Sequence, residues 1–82
     1  MKVYGWQSFH HDCPPAPNGS KQVRKIVAAG SKAEAKRLGA DMPLSEIAET
    51  GNKVETAAAL AHPGIIFWRP LDAWDEPFRR EG

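Results

Sequence analysis

Four consecutive residues, His10-His11-Asp12-Cys13, hold two imidazoles, a carboxylate and the only thiol of the chain. Such groups can ligate a transition metal, or pair a thiolate nucleophile with a base. Their spacing argues against both. Zinc usually draws a tetrahedral set from two separated ligand pairs. Here the ligand types are contiguous, and neighbours on an extended segment point to opposite sides. The only other histidine is His62 and there is no second cysteine, so an internal site would need His62 and a further acid to reach this loop. Cys13 precedes Pro14, which keeps residue 13 extended and removes the helix N-terminus that commonly activates a thiol. The nucleophile-elbow pattern Gly-x-Ser-x-Gly and the phosphate-loop pattern Gly-x₄-Gly-Lys are both absent. The segment reads as a stiff, proline-bearing loop. No metal, cofactor or catalytic residue is expected, and the chain is not read as an enzyme.

That loop must join two strands. Lys2–Phe9 alternates Val3, Gly5, Gln7 and Phe9 with Tyr4, Trp6, Ser8 and His10, and is rich in aromatic and β-branched residues. Gln22–Ala29 reads as a second strand, and Asn18-Gly19 between them favours a reversal. Ser31 with Glu34 fits a capping box opening a helix that ends near Gly39. Asp41 could cap a second short helix with Leu44, Ile47 and Ala48 on one face, stopped by Gly51. Asn52 with Glu55 opens a third, whose face Val54, Ala57, Ala58 and Ala61 ends at Pro63-Gly64. Ile65–Arg69 is a short apolar run bounded by turn signals, a buried third strand.

The expected fold is α+β: one domain over residues 1–70, with the helices on one face of a three-stranded, mainly antiparallel sheet. The second strand carries the most charge and is placed at an edge, with the first strand in the middle. Residues 71–82 form a partly ordered tail. With 82 residues the chain buries only about 60% of its unfolded surface, so its core is thin.

Four segments, "CPPAPNGS", "IVAAGSKAEAKR", "ETGN" and "PGIIFWRPLD", span most of the chain. Together they resemble a group of short uncharacterised proteins carried by bacteriophages of actinobacteria, of the mycobacteriophage type. The resemblance implies a protein of the infected host's cytoplasm that acts in host interaction or phage regulation. It brings no site residues with it.

A single cysteine, no apolar run near the roughly 18 residues of a membrane span and no signal-peptide core agree with a cytoplasmic location away from membranes. The net charge of +1 conceals an asymmetry: residues 1–40 carry seven cations and two acids, residues 41–82 four cations and eight acids. Such a dipole can steer partners of either sign. If the helices cover one sheet face, Tyr4 and Trp6 lie bare on the other. With Trp68, Arg69 and Trp74 of the tail they would make a protein-binding surface. The leading expectation is therefore a non-catalytic protein that binds a host or phage protein, with a homodimer as one arrangement. The alternative is a nucleic-acid binder using Lys21, Arg24, Lys25, Lys32, Lys36 and Arg37 along the hairpin and first helix.

Overall fold

The computed structural model describes residues 1–13, 21–71 and 76–81. The expected reversal at Asn18-Gly19 and the candidate Trp74 lie outside them. Among these residues the chain order is β1 (Lys2–Phe9), β2 (Gln22–Ala29), α1 (Lys32–Leu38), a 3₁₀ turn (Leu44–Glu46), β3 (Ala48–Glu49), α2 (Lys53–Leu60), β4 (Phe67–Pro70) and β5 (Arg79–Arg80). The five strands form one antiparallel sheet ordered β3-β1-β2-β4-β5. The α+β class and the antiparallel sheet agree with the expectation; the layout differs in four ways.

First, β2 is the central strand. It pairs with β1 from Gln22 to Ala29 and with β4 from Val23 to Ile26. Its charges do not force it to an edge because each is neutralised inside the fold. The Arg24 guanidinium donates to both carboxylate oxygens of Glu55, at 2.9 and 3.1 Å, and Lys25 Nζ lies 2.6 Å from Glu81 Oε2 and 3.4 Å from Asp41 Oδ2.

Second, the helices lie on opposite faces. Ala35 of α1 packs with Tyr4, Trp6, Val27, Ala29 and Ile47, whereas Ala59 of α2 packs with Val3, Ile26, Ala28 and Phe67. Strand residues alternate between faces, so these two sets are the two sides of the sheet. Alanine on the inward side of both helices lets each approach the strands closely, although it buries little apolar area per residue.

Third, Asp41 opens no helix. Only a single 3₁₀ turn forms, and β3 follows, pairing Ala48 and Glu49 with Gly5 and Tyr4. Asp41 instead turns its carboxylate onto the sheet, where it accepts from Trp6 Nε1 at 2.8 Å and Ser8 Oγ at 2.6 Å. A side chain that satisfies buried strand donors is not available as a cap.

Fourth, the sheet has five strands against the three expected: besides β3, Arg79 and Arg80 of the tail pair with Trp68 and Phe67 as an edge strand, and Glu81 N donates to the Ile66 carbonyl at 2.9 Å.

The caps of α1 and α2 form largely as their sequences dictate. Glu34 N donates to Ser31 Oγ at 3.1 Å and Glu55 N to Asn52 Oδ1 at 3.0 Å. Glu34 reaches one residue further back than a capping box requires, accepting from Gly30 N at 3.1 Å. Gly39 closes α1 with φ of 125°, a value that a side chain would strain, and its N–H returns to the last turn. In α2 the inward residues are Glu55 and Ala59, while Val54, Ala57 and Ala61 are exposed. The helix is turned from the expected alanine face because Glu55 is drawn inward by Arg24 and by the Thr50 hydroxyl, which donates at 2.7 Å.

Candidate functional site

Trp68 stands on β4, opposite Lys25 of β2 and Arg79 of β5. It is 3% exposed and packs on Val23 and Cys13. Beside it the chain leaving β1 turns tightly, with Cys13 N donating to the His10 carbonyl at 3.1 Å and His10 N to the Lys21 carbonyl at 3.3 Å. These bonds set the His10 ring flat against Trp68, with centroids 4.3 Å apart and planes inclined by 17°. The His11 ring stacks on His10 in turn, at 4.7 Å and 14°. The Arg79 guanidinium sits 5.5 Å from the Trp68 ring centroid, within cation–π range.

His10, His11, Asp12, Trp68, Arg79 and Arg80 thereby line a cleft of about 550 Å³. Three stretches distant in sequence build it, and none of them carries a recognised motif. Its cations face solvent. Among the described residues the one carboxylate paired with Arg79 is Glu76, at 3.9 Å, and both arginines are exposed. Lys21 stands next to the cleft, donating to the His11 carbonyl at 3.2 Å. Asp12 is the one acid among the described lining residues, 3.4 Å from His11 Nε2.

His10, His11 and Asp12 also place ligand-type atoms within 4.8 Å of one another, without His62. His62 lies elsewhere, against the Phe67 ring at 5.9 Å. The stack is a poor metal cradle, since imidazole lone pairs lie in the ring planes and near-parallel planes do not converge on one point. His10 Nδ1 moreover already accepts from Asp12 N at 3.2 Å. Cys13 is more buried than a stiff surface loop would make it. Burial pushes its thiol pKa up, against the smaller pull of Lys21 and Arg79, so it stays protonated and serves as packing.

The expected protein-binding residues separate. Tyr4 and Trp6, 6% and 1% exposed, lie beneath α1 and the segment around Ile47, so the sheet face expected to be bare is core. Arg69 is buried on the other face with its guanidinium 4.4 Å from the Phe78 ring. Only Trp68 of the described members borders an opening.

The basic set separates too. Arg24 and Lys25 point to opposite faces and each is held by carboxylates from elsewhere in the chain. Lys32, Lys36 and Arg37 sit exposed on α1, with Lys36 donating to the Met42 carbonyl at 2.8 Å. Of the set, Lys21 stands beside the cleft without lining it. Sequence reasoning missed Arg79 and Arg80, whose one visible signal was a pair of adjacent cations in a segment with no period.

The carboxylates of Asp41 and Glu55 are fixed acceptors. Burial pushes Asp41 up, but hydrogen bonds from Ser8 and Trp6 and the charge of Lys25 outweigh it and leave its pKa lowered. Burial likewise raises Glu55, and hydrogen bonds from Arg24 and Thr50, with the charges of Arg24 and Arg69, bring it below the ordinary value. Comparison with family models, curated proteins and solved structures finds no match for this chain. Among the described residues no helix is long and apolar enough to cross a membrane.

Proposed function

We propose that this chain is a small non-catalytic binding protein that holds a nucleic-acid strand in the cleft beside Trp68. One observation carries the reading: the exposed Arg79 sits over a stack of aromatic rings in a cleft that Arg80 also lines, while Arg24 and Lys25 are paired within the fold. Cations that track phosphates and rings that meet bases are what nucleic-acid grooves combine. The non-catalytic part is supported by the carboxylates Asp41 and Glu55, which stay ionised as acceptors, and by the buried thiol of Cys13. This keeps nucleic acid as the ligand but moves the site from the hairpin and α1 to the β4–β5 edge. A surface for a host or phage protein is left without Tyr4 and Trp6, which are covered. The setting that accompanies this reading is the cytoplasm of a phage-infected actinobacterial cell, a part that rests on the sequence resemblance alone.

Anisotropy of a labelled oligonucleotide, titrated with protein between about 50 and 200 mM salt, tests the proposal. Binding should weaken with salt, and Arg79→Gln with Arg80→Gln should flatten the logarithmic slope by about 0.7 for each phosphate no longer neutralised. Absence of binding at the lowest salt would overturn it. So would tighter binding of an acidic peptide of equal charge, which would return the cleft to a protein partner.

A further inference from the structure

We infer that the outer face of His11 takes a nucleobase, so that the strand held in this cleft is single-stranded. The inference rests on the reading of the cleft as a nucleic-acid site and specifies what that site recognises. His10 lies nearly parallel to both Trp68 and His11, at 4.3 and 4.7 Å. Two rings cannot occupy one face of an imidazole, so Trp68 and His11 take opposite faces of His10. The stack therefore has an anchored end and an open end. Exposure rises along it, from 3% at Trp68 through the half-buried His10 to His11, whose side chain is 85% exposed.

A base is the ligand group that continues such a stack. Every base has a π-face, so the contact tolerates sequence. A base inside a duplex has both faces covered by its neighbours and cannot add to the column; an unpaired one can. Arg79 and Arg80 line the same cleft and supply the phosphate contacts. Asp12, 3.4 Å from His11 Nε2, is an acid of the same lining and disfavours phosphate next to itself. Trp68 is fixed between β2 and β5 and His10 by its turn, so most of the platform is formed before the ligand arrives.

The test compares an oligothymidylate, an abasic oligonucleotide of the same length and a duplex, each against wild type, His11→Ala and His11→Tyr. Wild type should prefer oligothymidylate to the abasic strand by about fivefold to a hundredfold, the range of one base stacked on a ring. His11→Ala should abolish that preference and leave the salt slope unchanged, and His11→Tyr, which keeps a ring, should restore it. Equal binding of normal and abasic strands by wild type and His11→Ala would overturn the inference while leaving the nucleic-acid reading standing. Duplex binding as tight as single-strand binding would do the same. Failure of every polyanion to bind would remove the parent reading itself.

Discussion

Glu55 puts a carboxylate where a helix this short would ordinarily bury an alanine or leucine. Its side chain is 9% exposed, and it is tolerated there because Arg24 grips both oxygens while Thr50 donates to one. Replacing it with glutamine leaves the Arg24 charge only partly compensated. Glu55→Gln should cost about 1.5–3 kcal/mol, the range for a hydrogen bond to a charged group, read as a lower midpoint in urea. The pH dependence follows from the same contacts. Glu55 and Asp41 are both lowered in the folded chain from ordinary values of 4.5 and 3.8. As pH falls, the unfolded chain therefore takes up their protons first. Their stabilisation is complete above those ordinary values and drains away as pH drops through them toward the lowered ones. Wild type should lose stability in that acid window, and Glu55→Gln should show a shallower loss. At this scale the sequence shows which groups exist and not whom they meet. Asp41 was legible as a cap and Glu55 as a capping-box acid, yet their strand partners are Trp6 and Ser8 for the one and Arg24 for the other, all far away along the chain.

At the scale of elements, β1, β2, α1 and α2 were legible because each is set by local rules: alternation, capping oxygens and a glycine stop. The order of strands was not, because it depends on charges neutralised from elsewhere. Lys25 shows this best. Its side chain is 7% exposed and lies among Asp41 and Glu81, brought in from the segment after α1 and from beyond β5. The Glu81 oxygen has no hydrogen-bond partner among the described residues, so its 2.6 Å contact with Lys25 acts as an ion pair. Removing Lys25 strands Glu81, and removing Glu81 leaves Lys25 with Asp41 alone, at 3.4 Å, among the described residues. Lys25→Met and Glu81→Leu should each destabilise, while the double variant should recover part of the loss. A double-mutant cycle in urea should give a coupling of about 0.5–3 kcal/mol, and additivity would show that the pair holds nothing in place. Because Glu81 directly follows Arg79 and Arg80, the same pair fixes the edge that carries the candidate site.

Over the whole molecule, the eight-residue β2 lies between β1 of eight residues and β4 of four, while the sheet ends in two-residue strands at both edges. Amide exchange should follow that gradient. The Val23–Ile26 amides, paired on two sides and covered on both faces, should exchange only on global unfolding, and those of β3 and β5 should exchange by local fraying. Equal protection of edge and centre would contradict the strand order. The candidate site belongs to this scale as well. His10, Trp68 and Arg79 become neighbours only through the β2–β4–β5 pairings, which is why no spacing within the chain announced it. The apparent chemistry of His10-His11-Asp12-Cys13 was legible as residue types, but its use depends on a tryptophan supplied from a distant strand.

Gly5 lies in the middle of β1, and a Cβ there would overlap the Arg24 guanidinium on its way to Glu55. The absent side chain is the room through which the ion pair passes. The consequence is historical. Positions 5, 24 and 55 are not free to drift separately: a lineage that gains any side chain at 5 displaces the Arg24 guanidinium from its path, and with it weakens the reason for an acid at 55. The three should change as a group or not at all, with glycine the last to be released.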